Sequence, residues 1–241
     1  MKSKEFKNKL LEQYKYRIEL HAHTSPVSGC SQISPLEMVE TYKKLGYDAV
    51  TITNHFIYQH SDRSKEEYID YFLKDFEQAE KYGKELSIRV YLGAEIRFTE
   101  NVNDYLVFGV NRKILLEIYD LLPLGIENFR KSYAMPESVI VQAHPKRDGM
   151  TDTDISLLDG IEVFNMHPGH NSRVGIASVY ANENKASVII AGSDFHHPNQ
   201  KHEGLSALRS DYLPENSFGI AKILKDGDYL LEIGRSNIVI P

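Results

Sequence analysis

Cysteine is nearly absent from this chain: Cys30 is the only one in 241 residues. That excludes an internal disulfide framework and suits a reducing compartment. Long apolar runs are missing too. None approaches the ~18 residues that span a bilayer, and the lysine-rich opening from Met1 to Lys9 has no apolar block of the kind that heads a secretory signal. A cytoplasmic protein with no membrane partner is the expectation. An excess of positive charge is also lacking. The formal net charge of -6 leaves no footprint for tight duplex binding, although a local basic groove would accept a short oligonucleotide and a small anionic substrate needs only a few cations. Repeats, low-complexity tracts and linkers do not occur, so residues 1–241 read as one domain with room for a substantial core.

What the chain does have begins with the stretch from Arg17 to Thr24, which reads as a strand ending in two histidines. Side chains alternate along a strand, placing Ile18, Leu20 and Ala22 on one face and Glu19, His21 and His23 on the other. Two imidazoles at one strand end can pinch a cation. Phe6, Leu10 and Tyr14 predict an amphipathic helix over residues 5–15. Ser34, Pro35 and Glu37 combine an N-cap, a first-turn proline and a capping-box acid, announcing a helix that ends at Gly46. Ser64 and Glu67 repeat the box ahead of Ile69, Phe72, Leu73, Phe76 and Ala79, one face of a long helix closed by Gly83. Short β-branched runs fall at 48–53, 88–95, 104–110, 138–143, 160–164, 187–191, 205–208 and 229–233, and helical patterns at 114–122, 171–184 and 215–224. Residues 124–137 carry no decisive pattern.

Such alternation predicts an α/β fold built on a parallel barrel, in which functional side chains gather where strands end. Here the strand ends carry His21 and His23, His55, Glu95, His144, His167 and His170, then Asp194 and His196. The last pair repeats the two-residue spacing of the first. Imidazoles mixed with carboxylates suit Zn, Mn or Fe, and bridging carboxylates hold two ions close together.

Taken in order, His21-Ala-His23-Thr24, Thr51 to His55, Gly93-Ala-Glu95, Ala143-His-Pro145, Glu162 to Arg173, and Gly192 to His196 resemble the PHP (polymerase and histidinol phosphatase) superfamily of metal-dependent phosphoesterases. The resemblance spans residue 17 to about residue 233. It implies a distorted, TIM-like (β/α)7 barrel with two or three divalent ions at the C-terminal ends of its strands. It assigns His21, His23, Glu95 and Asp194 to a first ion, and Glu95, His144 and His170 to a second. His55 and His196 would hold a third. The family also places a histidine or aspartate ligand where this chain has Ser28 and Gly29, and an aspartate where it has Asn54. Cys30 is near enough to serve as a thiolate ligand, or is simply a packed thiol.

Several residues carry two readings. Glu95 either bridges ions or pairs with Arg97. Glu19 either fixes the tautomer of His21 or forms a salt bridge with Arg17. Pro145 holds His144 extended. His167 competes with His170, and the family's spacing favours His170. His197 faces away from His196 as a surface residue, while His60 and His202 have no motif support and read as loop residues. Of Lys146, Arg147 and Arg173, the two arginines are the choices for steadying phosphoryl charge. The expected activity is hydrolysis of a phosphomonoester, on a small metabolite or nucleotide, by metal-bound hydroxide. Arg147 or Arg173 would steady charge, and His196 or a metal-bound water would protonate the leaving oxygen. Histidinol phosphatase is one candidate activity, less favoured because the family's ligand after His23 is missing. The alternatives are a 5'-3' exonuclease or phosphodiesterase on short oligonucleotides, and a non-catalytic binding module stabilised by metal.

Overall fold

A computed structural model describes residues 3–59, 62–200, 205–234 and 237–241. After the leading helix α1 (Ser3–Gln13) comes β1 (Tyr16–Ala22). Helix α2 (Pro35–Lys44) opens on the expected capping box, in which Ser34 Oγ accepts from Glu37 N and the Glu37 carboxylate accepts from Ser34 N. Strand β2 (Ala49–Ile52) leads to a short β3 (His55–Ile57), which the sequence pattern did not mark. Helix α3 (Lys65–Leu86) carries the second capping box on Ser64 and Glu67. It runs past Gly83 to Leu86 and ends at the left-handed Ser87. Gly83 serves packing instead, since a Cβ there would lie 2.6 Å from the Ile88 carbonyl oxygen and 2.8 Å from Val90 Cγ2.

Strands β4 (Arg89–Arg97) and β5 (Asp104–Phe108) are joined only by residues 98–103. That link is too short for a crossover, so the pair is antiparallel. Helices α4 (Arg112–Leu121) and α5 (Gly125–Ser132) follow, the second in the stretch that pattern left undecided. Next come β6 (Val139–Gln142), β7 (Gly160–Asn165), α6 (Val174–Glu183) and β8 (Val188–Gly192). The described elements end with β9 (Ser206–Ser210), α7 (Ser217–Asp226), β10 (Leu230–Ile233) and β11 (Asn237–Val239).

The sheet order is β11-β10-β9-β1-β2-β4-β5-β6-β7-β8, with β3 on β4. It curls until the residues after β8 meet β1. There Ala22 bridges Phe195, His23 N donates to Phe195 O at 2.9 Å, and Phe195 N donates to His21 O at 3.2 Å. The result is the expected α/β architecture, a distorted TIM-like barrel of β1, β2 and β4 to β8. Its departures from the parallel pattern are the reversed β5 and the antiparallel ribbon of β9, β10 and β11 beside β1. Ile18, Leu20, Leu106, Phe108, Val141 and Ile190 fill the interior together with Ile220 and Leu224 of α7. Each contributes about 1.5–3 kcal/mol by leaving water. Among the described residues no helix is long and apolar enough to cross a membrane.

One irregularity decides where the site lies. In the β1–β2 register, Ile18 pairs with Ala49 and Glu19 with Val50, but Ala22 pairs with Ile52, so β1 holds one extra residue. A bulge of this kind breaks the two-residue alternation. Ile18 and Leu20 therefore join the interior cluster, while Ala22 packs outward with Val50, Ile52 and Tyr42 of α2. The single greasy face expected of β1 does not exist. Apolar side chains fill the interior below the bulge, and the histidines enter the same interior above it.

Candidate metal centre

His21 and His23 end β1, His55 begins β3 and Glu95 lies on β4 directly across from His55. His144 follows β6, and Asp194 and His196 follow β8. All but His55 are buried. His21 Nε2 stands 3.0 Å from His23 Nε2, 3.4 Å from Glu95 Oε1 and 3.5 Å from Asp194 Oδ1. His23 Nε2 is 3.3 Å from Glu95 Oε2 and 3.5 Å from Asp194 Oδ1. Glu95 Oε1 also meets His144 Nε2 at 3.1 Å, and Oε2 meets His55 Nδ1 at 2.9 Å. Glu95 is thus divided between two sets of imidazoles. Arg97, on the same strand, pairs instead with Asp104 at 2.8 Å.

These separations suit a cation. Four ligands at about 2.1 Å from one ion stand about 3.4 Å apart. Donor atoms within 4.8 Å of one another form four groups: His21, His23 and Asp194; His21, Glu95 and His144; His23, His55 and His196; and His55, Glu95 and Asp104. Glu95 Oε2 and His55 Nδ1 are buried and approach each other, yet neither makes a hydrogen bond among the described residues. A carboxylate oxygen and an imidazole nitrogen left unpaired in one small buried space suit a positive centre there, whether a proton or a cation. By this test the residues present fit divalent ions.

The buried carboxylates draw positive charge to the same point. Burial opposes charge on Glu95, but His55 and His21 outweigh it and hold the carboxyl well below its usual range. Burial likewise opposes charge on Asp194, and His21 and His23 hold it well below that range. His21 is raised well above the ordinary imidazole value, because Glu162, Asp194 and Glu95 outweigh its burial. His23 is pushed well below that value by burial, with His196 and His55 beside it.

Backbone strain gathers at the same place. His144 has φ +29° and Asp194 φ +49°, left-handed values that residues other than glycine rarely adopt. Pro145 therefore does not hold His144 extended. The strain is held by Glu162, which pattern alone left without a role. Glu162 Oε1 accepts from His21 Nδ1 at 2.7 Å, and Oε2 accepts from His144 N at 2.8 Å and Asn165 Nδ2 at 3.0 Å. Asn165 Nδ2 also reaches Asp194 Oδ2 at 3.1 Å. A lone acid inside the apolar run from Gly160 to Phe164 was the available signal.

Glu162 thus takes the task considered for Glu19. Glu19 lies on the outer side of the bulge, accepting from Tyr42 and from Ser193, and Arg17 pairs with Glu232 at 3.1 Å. Gly192 makes room for the Glu162–His21 pair, since a Cβ there would lie 2.0 Å from Glu162 Oε1 and 2.5 Å from His21 Cβ. Gly192→Ala is expected to lower bound metal and to cost about 1–3 kcal/mol of stability by overpacking. Elemental analysis and urea unfolding read the two effects.

The remaining residues are placed as follows. Arg147 pairs with Asp194 and reaches Asn165 Oδ1 at 3.3 Å. Arg173 turns to the Lys146 carbonyl oxygen at 2.6 Å and pairs with Asp148. His170 is exposed and joins none of the donor groups; its ring lies 4.5 Å from that of His167, which is 5.3 Å from His196. Partial burial would raise the Cys30 thiol, but hydrogen bonds to His196 and His55 bring it down to about 6. His197 is partly exposed beside His196 and lies outside the groups. His60 and His202 lie outside the described residues.

The PHP domain family model matches residues 19–148 of the chain. No curated protein matches it. Among solved structures, a two-domain protein from Bacteroides vulgatus containing a predicted PHP-like metal-dependent phosphoesterase is 17% identical, with a TM-score of 0.63. The match covers 91% of this chain and 65% of that protein, so the chain spans less than two thirds of its length. A Bifidobacterium adolescentis protein provisionally assigned as a metal-dependent phosphoesterase is 17% identical, with TM-score 0.46, covering 78% of this chain and 90% of that one. An amidohydrolase from Chromobacterium violaceum is 14% identical, with TM-score 0.47, covering 76% and 88%.

Proposed function

The chain belongs to the PHP domain family of metal-dependent phosphoesterases, and on that premise we propose that it hydrolyses the phosphomonoester of a small metabolite or nucleotide. The observation that carries this reading is Glu95, with one oxygen facing His21 and His144 and the other facing His23 and His55. Divalent ions bound by these residues and Asp194 would supply Lewis acidity toward phosphate oxygens and would acidify a water molecule.

The protein groups divide the remaining work. Arg147, held by Asp194 and Asn165, keeps a buried Nε with no partner among the described residues. It is the donor left for a phosphate oxygen, and it steadies charge as the ester bond breaks. His196 points Nδ1 at the Asp194 carbonyl oxygen, 2.9 Å away, which leaves Nε2 to pass a proton to the leaving oxygen. Burial lowers its pKa, but the hydrogen bond with Cys30 and the charge of Asp194 raise it above the ordinary value overall, so the proton is available near neutral pH. Arg173 would have to leave Asp148 to assist.

The test is a panel of phosphorylated metabolites and nucleotides set against 5'-phosphorylated oligonucleotides, each with Mn or Zn. Metal-dependent release of phosphate from monoesters is expected. Oligonucleotide cleavage without monoester turnover overturns the choice of substrate, and full metal loading without any hydrolysis favours a binding module. Asp194→Ala should abolish turnover and reduce bound metal, whereas His197→Ala should leave both as in the wild type.

A further inference from the structure

We infer that Ser28, oriented by Asn54, is a positioning residue that locks His23 in the tautomer protonated on Nδ1, so that its Nε2 lone pair faces the metal centre. The inference rests on the centre proposed above. It follows from a chain of hydrogen bonds whose direction is fixed at its start. The backbone N–H of Thr24 can only donate, and it lies 2.7 Å from Asn54 Oδ1, so that atom is the amide oxygen. The amide nitrogen then donates to Thr24 Oγ1 at 2.9 Å, and Thr24 Oγ1 donates to Asp75 Oδ2 at 3.0 Å. Asn54 cannot turn over without opposing both contacts.

Ser28 Oγ lies 2.9 Å from Asn54 Oδ1 and must give its one proton there. The backbone N–H of His55 donates to Ser28 Oγ at 3.0 Å and occupies one lone pair. The other lone pair faces His23 Nδ1 at 3.3 Å, so His23 carries a proton on that nitrogen. Its Nε2 is then bare, beside His21 Nε2, Glu95 Oε2 and Asp194 Oδ1. Thr24, Ser28, Asn54, Asp75 and His23 are all buried, so water does not offer a competing partner. Both lone pairs of Ser28 are used, which leaves none for a cation. Position 28, where the family resemblance calls for a ligand, here orients one instead. A donor held on the far nitrogen of a ligating histidine fixes its ring and tautomer.

The experiment reads tautomers directly, by long-range proton–nitrogen correlation spectra of the histidine rings in the full chain treated with chelator. The wild type is expected to show His23 protonated on Nδ1. Ser28→Ala should convert it to a mixture and weaken zinc binding by about 10- to 100-fold, the range for removing such a partner. Ser28→Thr, which keeps the hydroxyl, should restore both. A wild-type His23 protonated on Nε2 overturns the inference even if Ser28→Ala does not fold. So does a folded Ser28→Ala chain with unchanged tautomer and zinc affinity. Neither readout depends on substrate, so failure of the phosphomonoester reading stays separate.

Discussion

Glu95→Gln is expected to empty the centre of divalent ions and to lower phosphomonoester turnover by about 10²- to 10³-fold, the scale of losing one preorganised electrostatic group at a reacting centre. The amide matches the carboxylate in shape, so packing is preserved around a residue only 1% exposed. The charge is not preserved. One of the two oxygens that face His21, His144, His23 and His55 becomes an NH2 group, whose hydrogens point into the lone pairs that would meet a cation. The chelated variant should unfold at a lower urea concentration than the wild type, because the neutral amide leaves the positive charge that His21 and His55 gain beside Glu95 buried and unpaired. Metal content after dialysis, measured beside the unfolding curve, separates loss of ligation from loss of fold. Wild-type metal content in this variant would remove Glu95 from the centre.

The sequence made some of this legible because the relevant signals are local. Both capping boxes, Ser34 with Glu37 and Ser64 with Glu67, form as read, since each needs only four consecutive residues. The two pairs at 21/23 and 194/196 meet because each leaves a short buried strand of one curled sheet. What stayed hidden depends on register between strands. Alternation put Glu19 under His21, and the extra residue in β1 moved it to the far side. The partner of His21 is Glu162, distant in sequence and on another strand. Gly83 resembled a helix stop until its contact with Ile88 gave it a different purpose. His170 was favoured by spacing from the preceding strand, but the loop through Pro168 and Gly169 leaves it exposed at the rim.

Glu19→Ala is expected to cost about 4 kcal/mol or more, among the largest effects of a single substitution. The Glu19 carboxylate accepts from Leu20 N at 3.0 Å, His21 N at 2.9 Å and Ser193 N at 3.0 Å, from Tyr42 Oη at 3.0 Å, and from the Ser193 hydroxyl. The first two donors are bulge amides, and the third lies next to Asp194. Glu19 therefore staples the strand end bearing His21 and His23 to the segment bearing Asp194 and His196. Truncation leaves three buried backbone N–H groups unpaired, at about 1–3 kcal/mol each. Glu19→Gln should cost far less and should reveal how the acid titrates. Burial raises the Glu19 pKa from 4.5 to about 7, even against its hydrogen bonds. The folded state thus binds the proton more tightly than the unfolded chain does. That contribution, about 3 kcal/mol at most, is fully present below pH 4.5 and is lost as pH rises through 7. Glutamine does not ionise. In urea unfolding between pH 5 and 8 the glutamine variant should start below the wild type and gain on it as pH rises. Parallel curves would instead mean that Glu19 ionises as freely in the folded protein as in the unfolded chain.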